Sequence, residues 1–297
     1  MNLILKLKDP RIFQIIFLGS FLIFGLFFLE WKINLFVVSV LFFTVTGTQF
    51  LAIKKLNLPY ASLLSAIISG LGLLILLRAN SIKTYILAAI ITIASKFLIK
   101  HKGKHIFNPV NFGIILTIML TGDAWISPGQ WGSSSLYILI IGIFSWLVLI
   151  EVKQLITGIV FLSTLFILET VYLNLYLGWP MDFVLHKFTS GSLLLFSFFM
   201  ITDPRTTPNN STTRAIWSSV VALLSFYMME FHYLSSAPFW VLFFISPLTP
   251  FLNKINSTPS FQWTSNNQKS IQWKRSNYLE LPSRHVQSQH KLFADFM

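Results

Sequence analysis

Two segments of the sequence combine amide, carboxylate and guanidinium side chains with helix-breaking prolines. Residues 103–113 read GKHIFNPVNFG, and residues 198–214 read FFMITDPRTTPNNSTTR. In the first segment Asn108 suits a helix N-cap and Pro109 suits the first helical position. A helix that begins there would turn its free N–H groups and its positive dipole end toward an anion. In the second segment the guanidinium of Arg205 suits a bidentate contact with a phosphate, so the two segments predict a ligand site.

A third candidate is an acidic side chain inside an apolar run. Glu169 has no opposite charge within one helical turn along the sequence, and a carboxylate inside a membrane is by default a functional candidate. We expect Glu169 to face the protein interior and to belong to a pathway for a proton or a cation. Lys96 and the pair His186–Lys187 lie near helix ends, where snorkelling explains them as well as function does.

The composition is that of a membrane protein. Of the 297 residues, 54% are hydrophobic and only 11% are charged, with a mean hydropathy of +0.69. Cysteine is absent, which excludes disulfides, thiolate metal sites, cysteine-ligated iron–sulfur clusters and cysteine nucleophiles. The net charge of +12 comes from basic residues that mostly flank apolar runs, so it indicates membrane topology and no nucleic-acid partner. Redox chemistry in this chain would therefore require a bound organic cofactor.

Ten apolar runs, bounded by charges or by Pro, Gly and Asn clusters, predict an all-α polytopic membrane protein of about ten transmembrane helices. If both termini are cytoplasmic, twelve basic residues fall in inside loops and three in outside loops, which fits the positive-inside rule. We expect multi-pass insertion in the inner (cytoplasmic) membrane. The runs are 12–31, 33–53, 60–77, 84–99, 107–121, 134–152, 155–177, 183–202, 213–231 and 237–252. The inside set is Lys6, Lys8, Arg11, Lys54, Lys55, Lys100, Lys102, Lys104, Lys153, Arg205, Arg214 and Lys254, and the outside set is Lys32, Arg78 and Lys83.

The chain divides into a membrane helix bundle at 1–252 and a polar cytoplasmic tail at 253–297. The N-terminal charges precede an apolar run that lacks a small-residue cleavage site, so the first run is expected to be a retained helix. The tail shows no helical or alternating period, which indicates a flexible or surface-docked segment.

The fifth run is too short to span a bilayer alone. A helix from Pro109 to Thr121 would be about 20 Å long at 1.5 Å per residue, against a hydrocarbon core of about 30 Å. Non-helical backbone before a short helix is tolerated at membrane depth where protein or water surrounds it, and such breaks often line binding sites. The alternative is a slightly tilted span that also includes Ile106 and Phe107.

Four stretches, taken together and in order, resemble the membrane subunits of the Rnf/Nqr type. The stretches are KDPRIFQI, GKHIFNPVNFG, DAWISPGQWG and SGSLLLFSFFMITDPRTTP, and the resemblance covers most of residues 9–253. The similar proteins are the RnfD-type subunits of Rnf electron-transport complexes, the NqrB-type subunits of sodium-translocating NADH:quinone oxidoreductases, and stand-alone RnfD-like or enediyne-biosynthesis-type relatives. The resemblance implies a ten-helix, non-autonomous subunit of an oxidoreductase complex. Such a subunit carries flavin and passes electrons beside other subunits, in the larger complexes alongside ion translocation.

The resemblance also implies where the cofactor lies and how it is held. FNPVNFG and SGSLLLFSFFMITDP belong to the cofactor region of the similar proteins. Relatives that attach FMN through a phosphoester use a Ser-Gly-Ala-Thr-like stretch, which this chain lacks. The most similar stretch of this chain is FTSGSLLL, in which Ser192 stands where related chains more often carry threonine. The expected cofactor is therefore non-covalent flavin, either FMN or riboflavin.

The predicted flavin site joins the two polar segments on the cytoplasmic side. Its amides and the start of the helix would supply hydrogen bonds, Gly191 and Ser192 would give room for a flat ring, and the Asp-Pro-Arg-Thr turn would fix a polar edge or a phosphate. Plainer roles exist for three of these residues: Arg205 as an interfacial anchor, Asp203 as a turn cap or partner of Arg205, and Gly191 as a point of close helix approach. The predicted site residues are Asn108, Pro109, Asn111, Gly191, Ser192, Asp203, Arg205 and Thr206.

Two other classes of function fit the same features. A small-solute transporter or channel would use a broken helix and a buried Glu169 equally well. A scaffold that only holds partner subunits is the third hypothesis. A visible spectrum of the purified protein before and after dithionite separates the first hypothesis from the other two, because a transporter or scaffold should be colourless.

Overall fold

Helices follow the apolar runs in the part of the chain that the structure describes. The computed structural model describes residues 10–27, 31, 34–127, 154–256 and 258. The run predicted at 134–152 and the tail from 259 onward lie outside the described residues. The α-helices are α1 (Pro10–Phe27), α2 (Leu35–Leu56), α3 (Leu63–Leu76), α4 (Ile82–Leu98), α5 (Pro109–Thr121), α6 (Leu155–Glu169), α7 (Met181–Phe188), α8 (Gly191–Leu195), α9 (Ser211–Phe231), α10 (Ala237–Ile245) and α11 (Thr249–Ile255).

Short elements connect or extend these helices. Helices α6 and α8 continue as π-helical segments, Thr170–Tyr176 and Phe196–Met200, and 3-10 turns at Tyr60–Ser62 and Ser246–Leu248 precede α3 and α11. The strands are β1 (Leu77–Ala79), β2 (Lys100–His101), β3 (Lys104–His105) and β4 (Ala124–Ile126).

Two of the described helices are long and apolar enough to cross a membrane. They are α2, with a mean hydropathy of 2.0, and α6 with its extension to Tyr176, with a mean hydropathy of 1.9. A third span results if α7 and α8 with its extension are taken as one bent pair. The protein is therefore a mostly helical membrane protein, whereas the count of ten spans and the side of each terminus stay predictions.

The run predicted at 183–202 is not one helix. It is split into α7 and α8, whose axes differ by 54°. The break lies at Ser190, where the backbone turns extended with a ψ of 119° and the hydroxyl lies 3.0 Å from that of Ser192. The run is therefore a bent pair and not one straight helix, because apolar content does not report a bend that two hydroxyl residues and an extended backbone create. That the pair forms one span stays a prediction.

The fifth run forms the short helix that the sequence predicts, and a small sheet extends it. Helix α5 has 13 residues, and Gly122 ends it in the left-handed conformation with a φ of 59°. Strand β4 follows at once and pairs antiparallel with β1, the strand after α3. Asp123 fixes this end by accepting hydrogen bonds from the Thr84 hydroxyl at 2.6 Å and from the Ser81 N–H at 3.0 Å. The chain thus follows the short helix α5 with a strand that pairs with the strand after α3.

Close packing against α4 holds α5 in place. A Cβ atom on Gly113 would lie 1.8 Å from the Thr92 hydroxyl oxygen and 3.2 Å from the Ala88 carbonyl oxygen, so glycine is required for this approach. On another side of α5, the rings of Phe112 and Phe243 lie 5.7 Å apart beside Phe107. These contacts set the position at which α5 begins.

Basic residues gather at one end of the bundle, which we call the basic end and define by the start of α5 and the loop at 203–209. Long-range contacts bring Arg11 to the Ala61 carbonyl and Lys96 to Ser65 at this end. Of the predicted outside set, Arg78 lies at the opposite end, in the strand that pairs with β4. The described residues of the two predicted basic sets therefore separate in space, while the membrane side that each end faces stays a prediction.

Candidate functional site

The start of α5 has the cap that the sequence predicts. Asn108 Oδ1 accepts hydrogen bonds from the N–H groups of Val110 and Asn111, at 3.1 and 3.2 Å, and Pro109 occupies the first turn. The alternative of a longer helix that includes Ile106 is therefore wrong. The expectation of free N–H groups at this end is also wrong. Proline lacks one, the Asn108 side chain occupies two, and the Asn108 carbonyl takes the N–H of the fourth residue.

The two polar segments meet, as the sequence analysis predicts. Asn108 Nδ2 lies 3.4 Å from Asp203 Oδ2, and Arg205 Nη2 donates to the Gly103 carbonyl at 3.2 Å. The partners are about a hundred residues apart in sequence. These contacts confirm the juxtaposition of the two segments, and the shared ligand stays a prediction.

Asn209 connects a third segment to the contact between the two polar segments. Its Oδ1 accepts from Lys104 Nζ at 2.6 Å, and the same ammonium also donates to the Thr207 carbonyl. The N–H of Asn209 donates to Asn253 Oδ1 at 2.8 Å, and its Nδ2 donates to the Thr258 carbonyl at 3.1 Å. The β2–β3 hairpin, the loop and the end of α11 are therefore joined through one asparagine.

Asp203 caps the turn that follows it. Its Oδ1 accepts from the Arg205 N–H at 3.0 Å, and its carbonyl accepts from the N–H groups of Thr206 and Thr207 at 3.0 and 3.1 Å. The capping role is confirmed, and the contact with Arg205 uses the backbone and not the guanidinium. Burial raises the pKa of Asp203, while the Arg205 N–H, the Arg205 charge and Lys104 act in the opposite direction.

Positive charge exceeds negative charge around this turn. Burial lowers the pKa of Lys104 to about 8; Asp203 opposes the shift, and Arg214 and Arg205 add to it. Burial also lowers the pKa of His105 to about 3, with Arg205 as the next cause, so its imidazole is neutral at physiological pH. Of the five acidic residues within the described ranges, Asp203 is the one at the basic end.

Neutral oxygens accept hydrogen bonds from two lysines at this end, Lys96 and Lys104. Lys96 is 4% exposed and donates to the Ser65 carbonyl at 2.8 Å and to the Ser65 hydroxyl at 3.0 Å. Lys104 donates to an amide and a carbonyl oxygen, as described above. Both ammonium groups are therefore oriented without being neutralised by a direct carboxylate contact.

Asn111 lies one turn deeper along α5. Its Nδ2 donates to the Phe239 carbonyl in α10 at 3.0 Å, while its Oδ1 is buried and has no partner among the described residues. The residue is only 2% exposed, so water does not satisfy this oxygen from bulk solvent. A buried acceptor without a donor favours a ligand that brings an N–H or O–H group.

The remaining predicted site residues divide into two places. Thr206 is in the turn, where its hydroxyl donates to the Asp203 carbonyl at 3.2 Å. Gly191 and Ser192 begin α8, whereas Asp203 follows the far end of its extension. Ten helical residues at 1.5 Å each separate the two places by about 15 Å. The structure therefore brings Asn108, Asp203 and Arg205 together, and leaves Gly191 and Ser192 a helix length away.

Glu169 faces the interior, as predicted. It is 0% exposed, and its Oε2 accepts from Lys187 Nζ at 2.7 Å. The same ammonium also contacts Glu230 Oε1, while Glu169 Oε1 has no partner within the described residues. Sequence reasoning missed both partners, because they lie 18 and 61 positions along the chain, on other helices and beyond the contacts within one helical turn. The interpretation of Lys187 as a snorkelling residue is wrong, since its ammonium turns inward to two carboxylates.

Other residues of the basic end were also missed as functional groups. Lys104 and Arg214 entered the sequence analysis only as topology charges, and Asn209 only as part of a turn. A signal existed for Asn209, since Pro-Asn-Asn supplies more hydrogen-bonding groups than a connecting turn requires. No comparable signal exists for Lys96, because its partner Ser65 is an ordinary helix residue 31 positions away.

The chain is similar to a known family of membrane proteins over about half of its length. The model of the NQR2, RnfD, RnfE family matches residues 116–262. No curated protein matches the chain. The matched range contains the turn at Asp203, the helix start at Gly191 and the cluster at Glu169, and begins seven residues after Pro109.

Proposed function

The chain belongs to the NQR2, RnfD, RnfE family over the matched range and is a membrane protein, and on that premise we propose that it is a membrane subunit of an Rnf/Nqr-like electron-transport system. In this role it binds FMN or riboflavin without a covalent link and passes electrons beside other subunits. The observation that supports the proposal best is the excess of positive charge at the contact between α5 and the loop at 203–209. Such an excess favours a cofactor that gains negative charge when it is reduced.

The residues at this contact fit flavin in two respects. Asn111 Oδ1 is a buried acceptor without a partner among the described residues, which suits a ring N–H. Arg205 and Lys104 offer cationic donors where the loop meets the start of α5, and Lys96 adds a buried amino group held by the oxygens of Ser65. When bound, flavin would supply the electron-accepting ring system. Asn108 acts as a positioning residue in this proposal, because both of its amide atoms already hold the α5 start and the turn.

The distance along α8 restricts how a ligand could contact all predicted residues. An extended mononucleotide that lies along α8 would reach both Gly191 and Asp203, whereas a compact ligand would contact one set. Replacing Gly191 by leucine should therefore lower FMN binding if the ligand is extended. Unchanged FMN binding in Gly191→Leu would place the ligand at the Asn108 contact alone.

The visible spectrum tests the proposal directly. Detergent-purified protein should show flavin absorption that dithionite bleaches, and Arg205→Ala should lower the flavin content about tenfold or more, because a charge-assisted hydrogen bond contributes about 1.5 to 3 kcal/mol. Lys55→Ala is the matched control, since Lys55 is an exposed cation at the same end of the bundle. A colourless protein, or equal flavin in Arg205→Ala and the control, would contradict the proposal.

Coupling to an ion is the second part of the proposal. One ammonium serves two carboxylates at Glu169 and Glu230, so the cluster carries an uncompensated negative charge unless it binds a proton or a cation. Glu169→Gln should then impair ion coupling in reconstituted vesicles while leaving the flavin content unchanged. A loss of flavin in that variant would show that the cluster supports the fold around the cofactor and not a separate pathway. Ion movement in a protein without flavin would instead support the transporter hypothesis.

A further inference from the structure

Arg214 is a buried cation without an acceptor among the described residues. It follows the Asn210 cap in the first turn of α9 and is 8% exposed. Its Nε–H is buried without a hydrogen-bond partner, and its guanidinium makes no ion pair or hydrogen bond within the described part of the chain. A buried N–H on a cationic side chain is unfavourable when it lacks an acceptor, so an acceptor for the Arg214 Nε–H is expected at this place.

Two more unpartnered donors lie on the same face of α9. Trp217 is 4% exposed and Ser218 is 0% exposed, and the indole Nε1–H and the hydroxyl are both buried without a partner among the described residues. Positions i, i+3 and i+4 of a helix share one face, so the three donors of Arg214, Trp217 and Ser218 point the same way. Unlike Arg214, the indole and the hydroxyl carry no charge, and one acceptor group placed against this helix face would accept from all three.

The described residues nearby do not supply that acceptor. Lys104 is a charged neighbour on the side of the loop, and its ammonium and the Arg214 guanidinium repel each other. Asp203 is the described carboxylate at this end, and its oxygens already accept from Asn108 and from the Arg205 N–H. The positive end of the α9 dipole adds to the local potential.

We propose that the buried face formed by Arg214, Trp217 and Ser218 is a binding site for a phosphate-class oxyanion. The guanidinium fork matches the oxygens of such a group, and the indole and hydroxyl donors complete its shell without adding negative charge. None of the three residues belongs to the proposed flavin site, so this site does not depend on flavin binding. The same chemistry is offered by a phospholipid headgroup and by a free or water-soluble phosphate.

Calorimetric titration of the delipidated, detergent-solubilised full chain with inorganic phosphate tests the site. We expect saturable binding that Arg214→Gln weakens about tenfold or more, as the loss of a charge-assisted hydrogen bond predicts. Trp217→Phe should weaken it less, because a neutral donor contributes less than a charged one. Two controls should leave it unchanged: Ser219→Ala, on the same helix but bonded to Thr164, and Lys254→Gln, an exposed cation at the same end.

The source of the phosphate is decided by a second measurement on protein purified without delipidation. Phospholipid phosphorus that copurifies with the wild type and is lost in Arg214→Gln identifies a lipid headgroup. Phosphate binding without such lipid identifies a water-soluble ligand. If Arg214→Gln fails to fold, Trp217→Phe and Ser218→Ala keep the charge and must still lower phosphate binding.

Three results would overturn the proposal. The first is the absence of both phosphate binding and bound phospholipid in the wild type. The second is equal binding in the wild type and all three site variants, which would indicate nonspecific attraction to the basic end. The third concerns Glu151, which lies outside the described residues: phosphate binding that appears only in Glu151→Gln would identify this carboxylate as the internal partner of Arg214.

Discussion

The charged residues near the two ends of α9 have opposite environments. Near its start, Arg214 is buried and has no acceptor within the described residues. Near its other end, Glu230 shares the ammonium of Lys187 with Glu169. A cation that the chain balances itself holds helices together, as Lys187 joins α6, α7 and α9, although its two carboxylates leave the cluster one negative charge in excess. A charge that the chain leaves unbalanced costs stability and is explained by a ligand.

The lysines show the same difference. Lys187 donates to two carboxylates, whereas Lys104 donates to an amide oxygen and a carbonyl. Both arrangements fix the direction of the ammonium, but only the first neutralises it. The basic end therefore keeps positive charge available for an anion, and the acidic cluster does not.

The largest expected effect is at the balanced end. Lys187→Met removes the ammonium and leaves the buried carboxylate of Glu169 beside that of Glu230, whose side chain is 12% exposed, which should lower the free energy of unfolding by about 3 to 5 kcal/mol. Thermal unfolding in detergent measures the loss. Adding Glu169→Gln and Glu230→Gln to Lys187→Met should restore much of the stability, because the triple variant has no buried charge there. An unchanged Tm in the single variant would show that the cluster does not support the fold.

The matched change at the unbalanced end should have the opposite sign. Arg214→Met, measured in delipidated protein without phosphate or other oxyanions, should raise the free energy of unfolding by about 1 kcal/mol or more, because it replaces an uncompensated buried cation by an apolar side chain. A loss of stability similar to that of Lys187→Met would mean that Arg214 has an internal carboxylate partner, and the comparison between the two ends would fail.

A smaller effect is expected for the helix cap that joins the two polar segments. Asn108→Ala should lower the free energy of unfolding by about 1 kcal/mol, because the N–H groups of Val110 and Asn111 lose their acceptor. Asn210→Ala is the matched control, since Asn210 caps α9 through the N–H groups of Thr212 and Thr213, at 3.0 and 3.1 Å. The difference between the two variants measures the contact of Asn108 with Asp203, and equal losses would show that this contact adds nothing.

The smallest effect concerns the pH dependence of stability. Burial lowers the pKa of Lys104 to about 8 from its ordinary value of 10.5, so between these values the unfolded chain binds this proton more strongly than the folded one. Through this group, stability should rise with pH from about 8 to about 10.5. Asn209→Asp places a carboxylate against the ammonium, raises the pKa of Lys104 and should flatten that rise. Lys104→Met should lack it as well, and identical slopes of Tm against pH in all three proteins would contradict the assignment.

Local signals in the sequence predicted the elements of the site. The Asn-Pro pair fixed the start of α5, because an asparagine oxygen reaches the N–H groups two and three residues ahead whatever the rest of the fold does. Asp203 capped its turn for the same reason. The burial of Glu169 also followed from the sequence, since leaving a carboxylate in lipid costs at least ~2.5 kcal/mol.

The sequence did not predict which residues from distant segments contact each other. Lys187 sits beside a helix end in the sequence, where a solvated charge is the ordinary interpretation, and only the bend between α7 and α8 turns it to Glu169. The hydroxyls of Ser190 and Ser192 are a weak signal of that bend, because serines in membrane helices more often serve close packing.

The sequence by itself determined that this is a helical membrane protein, where most of its described helices begin and end, and which segments carry polar groups unsuited to lipid. These properties depend on contacts within a few residues and on the transfer of side chains out of water, both of which are local. The tertiary structure alone decided that Asn108 meets Asp203, that Asn209 joins three segments, and that Arg214 is buried beside cations. Such contacts depend on how helices that are distant in sequence pack against each other. That packing also decides which charges stay unpaired, and the periodicity of the sequence does not predict it.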